Sequence, residues 1–248
     1  LLQSGTLAPM DGLIRALSSR GLNALPIYIS GLKDPVSAEL LEALFAENKP
    51  DIILNATGFA VSPPGAPRKQ TAFDQADCPV LQVVLGGSTR TAWGANVQGL
   101  SPKDLAMNVV LPEVDGRILS RAISFKSEAR FDPKTEISIA THEPVPDRVN
   151  FTADLAAAWV NLSQTQAADR KIGVILANYP NRDGRLGNGV GLDTPASAVN
   201  VLNALAESGY DVGPIPSDGN ALMRILTAGP TNVLAGRHFR RGGARLSR

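Results

Sequence analysis

The chain has few residues with which to build a thiolate or imidazole site: its 248 residues include one cysteine and two histidines. One cysteine excludes an intrachain disulfide. Two histidines and one cysteine fall short of a four-ligand zinc set, and a Ser-His-Asp arrangement lacks its partner histidine in the same way. Cys78 stands beside Pro79 at the entry to an apolar run and reads as a buried structural thiol, not a nucleophile. No G-x-x-x-x-G-K-[ST] stretch occurs, so ATP has no recognisable seat. No apolar run approaches the roughly 18 residues of a membrane helix, and no basic-then-apolar leader opens the sequence. A globular protein without a membrane partner, cytoplasmic by default, is the expectation. Internal repeats and low-complexity tracts are also lacking.

What the chain does have is an alternation of short apolar runs with amphipathic stretches, which predicts α/β architecture with parallel strands. Helices are expected over residues 9–20 and 35–47, and strands over 25–30, 51–55 and 80–85. Val61 to Lys69 is rich in Pro, Gly and Ser and reads as an exposed loop, and Ser88 as the start of a short helix. Residues 109–113, 117–126 and 136–141 look extended, a small antiparallel excursion. Pro144, Pro146 and Asp147 mark a boundary before a long helix, 150–168, whose Leu155, Trp159 and Leu162 recur at helical spacing; the tryptophan reads as core. The expectation is two Rossmann-like or flavodoxin-like α/β units: residues 1–145 with the extended segment, and 146–235 with the linking helix. Whether they share one sheet is not legible from periodicity.

The ends differ in character from the body. Leu1-Leu2-Gln3-Ser4-Gly5 reads as the tail of a strand and its turn, as if the chain started inside a fold. Residues 236–248 carry five arginines and no acid; subtracting these five from the net charge of +1 leaves about −4 for the body. A shifted reading frame or a cloning-derived tail accounts for this better than an arm that binds nucleic acid.

Candidate binding chemistry concentrates in one loop. Lys171 to Ala177 is a short apolar run of the kind that makes a buried parallel strand, and Pro195 opens a helix capped by Asp193 or Thr194, with Val199, Leu202 and Ala206 on its apolar face. Between them lies a glycine-rich polar loop longer than a connection requires. Asn178, Tyr179, Asn181, Arg182, Arg185, Asn188, Asp193 and Thr194 are its candidate ligand-facing residues. Glycines allow close backbone approach, the helix start offers free N–H groups to a carboxylate or phosphate, and the arginines could pair with the same groups. The spacing of Gly187, Gly189 and Gly191 is not the dinucleotide fingerprint. Asn55 and Thr57 end a predicted strand, where open α/β sheets bind ligands, and group with Asn178 and Tyr179 as a possible cleft wall. Glu113 and Asp115, taken as strand residues two apart, would share a face and either touch a ligand or cap a turn. His142 and Glu143 would point to opposite faces of a strand, and the histidine reads as a solvent-facing loop residue.

Three blocks carry a family resemblance. They are Ile52 to Ala60 (IILNATGFA), Phe73 to Val84 with Gln98 to Ile118 (FDQADCPVLQVV, then QGLSPKDLAMNVVLPEVDGRI), and Lys171 to Tyr210 ending in NALAESGY. With them, residues 1 to about 235 resemble the large subunit of aerobic cobaltochelatases (CobN type), relatives of the magnesium-chelatase large subunit. The resemblance implies a tetrapyrrole-binding subunit that inserts Co²⁺, as substrate, into hydrogenobyrinic acid a,c-diamide. ATP with Mg²⁺ would be hydrolysed on two smaller AAA+-type partner subunits, which agrees with the lack of a P-loop. In the family, the histidine and glutamate best suited to base and metal-handing roles lie in a His-Gly, Glu, Pro-Gly-Lys motif downstream of this region. The chain alone is therefore expected to be catalytically incomplete, with no metal site of its own. Two alternatives are a magnesium-chelatase subunit acting on protoporphyrin and a non-catalytic α/β partner-binding domain. The asparagine-rich Asn178 to Gly184 favours the cobalt branch; differential binding of corrin and porphyrin would separate the first two readings, and binding to an AAA+ subunit without tetrapyrrole affinity would favour the last.

Overall fold

The structure is a computed structural model and describes residues 5–179, 183–231, 233, 235–236 and 239–242. Two compact units divide between Gln164 and Thr165.

The first unit begins with α1 (Ala8–Ser18), started by Pro9 in its first turn, and α2 (Pro35–Glu47), where the Asp34 carboxylate accepts from the Ser37 amide. Hydrogen bonds from the Ser37 and Ser30 side chains hold the Asp34 pKa low, against a smaller opposing effect of burial. β1 (Ile53–Asn55) and β2 (Val80–Thr89) are parallel, with Asn55 opposite Gln82. α3 (Arg90–Ala95) follows, capped by Thr89. α4 (Pro102–Leu105), a π-helical turn (Ala106–Val110) and α5 (Leu111–Val114) then run on as one helical segment. β3 (Ile118–Asp132) pairs parallel to β2, and β4 (Ile137–Pro144) folds back antiparallel to β3, giving the order β1-β2-β3-β4. The unit closes with α6 (Pro146–Gln164).

β2 is buried on both faces, as a central parallel strand must be. Leu81 and Val83 pack with Ile123 under Leu13, Ala16 and Leu17 of α1 and Val149, Ala153 and Ala156 of α6. On the opposite face Val84, Ala122, Phe125 and Val145 meet Trp93, Leu100 and Val109. A third cluster, Leu41, Phe45, Ala72, Phe73 and Ala76, seats α2. Adjacent strands approach closely at Gly86, where an added Cβ would sit 2.7 Å from the Phe125 ring.

The second unit contains α7 (Thr194–Glu207) and α8 (Gly219–Ala228), each capped by an aspartate side chain, Asp193 and Asp218. The helices touch at Gly219, where a Cβ would lie 2.9 Å from the Ala196 amide nitrogen.

The α/β class therefore stands, carried by the mixed sheet of the first unit, and the hairpin β3–β4 is the expected antiparallel excursion. Several local expectations are corrected. Residues 25–30 form no strand; Leu25 and Tyr28 are exposed and no neighbouring strand among the described residues offers a ladder. Residues 109–113 are helical, because Pro102 starts a helix that continues through Pro112. The helix placed at 150–168 runs from Pro146 to Gln164 and packs on α1, so the break between units falls after it, later than the Pro144–Asp147 segment. Lys171 to Ala177 forms no strand and is largely exposed: Ile172 and Val174 are about half exposed and Ile175 is 95% exposed. Among the described residues no strand stands beside it, and an apolar run becomes a buried strand only when a sheet supplies both hydrogen bonds and cover.

Candidate functional site

In the first unit the chain leaves β1 into a loop held from below by buried polar groups. Asn55, a residue 5% exposed, donates through its side-chain amide to the Gln82 side-chain oxygen at 2.8 Å and to the Thr57 carbonyl at 3.1 Å. Gln82, buried in the middle of an apolar strand, donates to the same carbonyl at 2.9 Å. The Thr57 hydroxyl returns to Asn55 Oδ1 at 2.9 Å. Asn55 and Thr57 are thus engaged in holding the loop.

The second support is an ion pair. Asp115 and Arg117, with side chains 1% exposed, meet at 2.8 Å, and the Asp115 carboxylate also accepts the Val61 amide at 2.7 Å and the Ser62 amide at 3.0 Å. Desolvation pushes the Asp115 carboxyl up, but the Val61 and Ser62 donors and the Arg117 charge outweigh it, and the group ends below the ordinary carboxylate range. Arg117 is pulled below the ordinary guanidinium value by burial, against the Asp115 charge. Its Nε has no hydrogen-bond partner among the described residues. Asp115 is therefore a loop anchor, not one of two carboxylates on a strand face. Glu113, on α5, is exposed and free to meet a ligand.

Between these anchors the loop is pressed onto the π-helical turn. The Phe59 amide donates to the Met107 carbonyl at 2.8 Å, and a Cβ on Gly58 would lie 2.9 Å from Asn108 Oδ1 and 3.1 Å from Met107 O. Phe59 itself is left-handed, with φ of +63°, and is 58% exposed although Asn55, Ala60 and Ser62 around it are buried. A left-handed non-glycine residue costs on the order of 1–3 kcal/mol and persists only where its surroundings hold it. Single π turns in α-helices recur at functional sites. Sequence reasoning passes over Phe59, because only the backbone geometry distinguishes it; the Thr-Gly pair before it is the one local hint.

Asp115 and Arg117 also line a cavity of about 340 Å³, together with Arg68, Asp74 and Cys78 among others. Burial pushes the Cys78 thiol up to about 11, so it stays protonated at neutral pH and is a poor nucleophile. His142 is not a loop residue: it lies on β4 opposite Lys126, with Nδ1 3.4 Å from the Ser124 hydroxyl, and burial followed by the Lys126 charge lowers its pKa.

In the second unit the polar loop has internal structure. Asn178 bridges Leu186, the Gly187 amide donates to Ala177 O at 2.8 Å, a short 3₁₀ turn covers Asp183–Arg185, and Gly189 bridges Leu192. Tyr179, 83% exposed, Arg185 and Asn188 are on the surface. Asp193 caps α7 through the Ala196 amide at 3.0 Å, and Thr194 is the first helical residue. Asn181 and Arg182 lie outside the described residues. The Asn178 amide is the exception to this solvation: both its nitrogen and its oxygen are buried without a partner among the described residues. A buried unpaired polar group costs roughly 1–3 kcal/mol, so a bound ligand or a further segment of protein is the natural complement.

The model of the CobN/Magnesium Chelatase family matches residues 1–247. The chain belongs to that family. Over 94% of its length it is 56% identical to the aerobic cobaltochelatase subunit CobN of Sinorhizobium sp., and over 91% it is 27% identical to a magnesium-chelatase subunit of Rhodobacter capsulatus. Among solved structures, the catalytic subunit of cobaltochelatase from Mycobacterium tuberculosis superposes with a TM-score of 0.73 at 33% identity, covering 91% of this chain and 19% of that one. The chain spans about a fifth of the length of these relatives. Among the described residues there is no cluster of three or more His, Cys, Asp or Glu side chains able to bind a metal, and no helix long and apolar enough to cross a membrane.

Proposed function

We propose that this chain is part of the large, tetrapyrrole-holding subunit of an ATP-dependent cobaltochelatase, the subunit on which Co²⁺ is inserted into hydrogenobyrinic acid a,c-diamide for cobalamin biosynthesis. The observation that carries the reading is the 56% identity with an aerobic cobaltochelatase subunit, against 27% with the magnesium-chelatase subunit. In this reading ATP and Mg²⁺ are handled by two smaller AAA+-type partner subunits, and both metal and corrin are substrates.

The residues assigned to the corrin fall into two groups. In the second unit Tyr179, Arg185 and Asn188, with the Asn178 amide and the undescribed Asn181 and Arg182, offer donors to peripheral carboxylates; Asp193 and Thr194 fix the start of α7 behind them. In the first unit Glu113 is the solvent-facing carboxylate, suited to accept a proton or hold a partly dehydrated cation, while Asn55, Thr57, Asp115 and Arg117 hold the loop in place.

The test is titration of the full-length subunit with hydrogenobyrinic acid a,c-diamide and with protoporphyrin IX, followed by metal insertion with its partners and ATP. Preference for the corrin and dependence of Co²⁺ insertion on the partners are expected. Preference for the porphyrin would move the protein to the magnesium branch, and binding of neither would leave an α/β partner-binding role. The 248-residue chain alone is expected to insert no metal.

A further inference from the structure

We infer that Phe59 is a substrate-contact residue that lays its ring against the flat face of the macrocycle; this rests on the tetrapyrrole reading above. Three independent features single it out. The residue is 58% exposed although Asn55, Ala60 and Ser62 close by are buried, so packing within the described residues does not explain an aromatic side chain there. Its backbone is left-handed at φ +63°, a conformation that glycine would adopt without strain. The surroundings nevertheless hold that conformation: Phe59 N–H is tied to Met107 O, Gly58 packs so closely that a Cβ would lie 3.1 Å from Met107 O, and the Val61 and Ser62 amides are clamped by Asp115. A chain that holds a strained residue in place from both sides, and puts phenylalanine rather than glycine there, uses the ring for something outside the described fold.

The chemistry of the ligand follows from the site. The ring sits on a loop that leaves the carboxyl end of a parallel strand and rests on the turn leading to the exposed carboxylate of Glu113. An apolar aromatic face on a loop that packs on the segment carrying an exposed carboxylate suits a flat, conjugated ring system with a polar, metal-accepting centre. Offset stacking of aromatic faces adds affinity beyond area burial. Leucine at this position would keep apolar area and lose the stacking.

The experiment uses the full-length subunit, with hydrogenobyrinic acid a,c-diamide as probe and its Kd read from quenching of intrinsic fluorescence. Phe59→Leu is expected to weaken binding about tenfold, whereas Phe59→Trp stays within about threefold of the native protein. Phe59→Gly separates contact from structure: relief of the left-handed strain should leave Tm unchanged or raised while binding falls at least as far as in Phe59→Leu. Native-like Kd in both Phe59→Leu and Phe59→Gly would overturn the inference. So would a fall in Tm in both, with binding lost only in proportion to the unfolded fraction, since Phe59 would then be docked against another protein segment. Failure of the native protein to bind any tetrapyrrole would instead remove the functional reading on which the inference rests.

Discussion

Removing the Asp115 carboxylate is the sharpest test of how the first unit holds its loop. In Asp115→Ala the Arg117 guanidinium stays in a site where its side chain is 1% exposed, now without the carboxylate that neutralises it, and the Val61 and Ser62 amides lose their acceptors. Breaking a buried pair from one side costs about 3–5 kcal/mol, and the orphaned amides push the value toward the upper end without adding in full. At a urea m-value of about 2 kcal/mol/M this is a midpoint shift of roughly 1.5–2.5 M. Both tryptophans, Trp93 and Trp159, lie in the first unit, so fluorescence follows that unit alone. Asp115→Ala with Arg117→Met should recover about 1–2 kcal/mol of the loss, because the uncompensated charge is gone while the two amides stay unpaired. The acid limb provides a second readout. The native-state pKa of Asp115 lies below its unfolded value, so its stabilisation is complete above about pH 4 and is lost as pH falls through the lower folded value. Asp115→Asn should flatten that limb. A midpoint shift below about 0.5 M in Asp115→Ala, or a double variant less stable than it, would refute the anchoring argument.

His142 works in the opposite chemical direction with the same sign. Burial and the Lys126 charge depress its pKa, so its contribution is present above about pH 6.5 and is lost as pH falls through the lower folded value; the urea midpoint should drop between about pH 7 and pH 5 less in His142→Gln than in the native chain. In the second unit Gly219→Ala should drive α8 away from the Ala196 backbone and cost about 1–3 kcal/mol, seen as accelerated hydrogen exchange across α7 and α8. Amides of Ile172 to Leu176, which donate to no group among the described residues, should exchange in this 248-residue chain at close to unprotected rates, and strong protection there would contradict the unpaired geometry. Replacing Asn178 by leucine should leave stability equal or raised, because two unpaired polar atoms are removed, and should weaken corrin binding in the full-length subunit if the amide faces the ligand.

The parts of this fold that are legible in the sequence are those in which local chemistry and tertiary context agree. α2 begins at Asp34-Pro35 and α7 at Asp193-Thr194-Pro195, as their capping residues require, and β2 reads as an apolar run because α1 and α6 cover one face and Val109 and Trp93 the other. Sequence reasoning fails where context decides. Residues 109–113 carry β-branched residues and a proline that suggest extension, yet an upstream helix starting at Pro102 carries them on as a π turn. Lys171 to Ala177 has the composition of a buried strand but no sheet beside it among the described residues. The candidate site is half legible. Polar, glycine-rich composition marks the 178–194 loop, and a pair of carboxylates two residues apart marks Glu113, but neither signal distinguishes a side chain that meets ligand from one that holds a loop. Hydrogen bonding puts Asn55, Thr57 and Asp115 in the second class. Phe59 is invisible for the converse reason, since its signal is a dihedral angle.

The two groups assigned to the corrin differ in how firmly they are held, and that difference bears on what each can contribute. The loop after β1 is fixed by a buried ion pair, an Asn-Gln-Thr network and close contact at Gly58, with little freedom to reorganise when ligand arrives. Groups placed in advance lose little entropy on binding and suit the reacting centre, where geometry must be met closely. The 178–194 loop is held by a few backbone bonds, and the long polar side chains described there stand in solvent. Such groups lose side-chain entropy when they engage, but they can adapt to the scattered carboxylates at the edge of a corrin. On the proposed function, substitution of Glu113, on the helical segment against which this loop packs, should therefore act mainly on metal insertion, whereas substitutions at Arg185 or Asn188, like loss of the Phe59 ring, act mainly on affinity for the corrin. Equal effects of both groups on kcat alone would contradict that division.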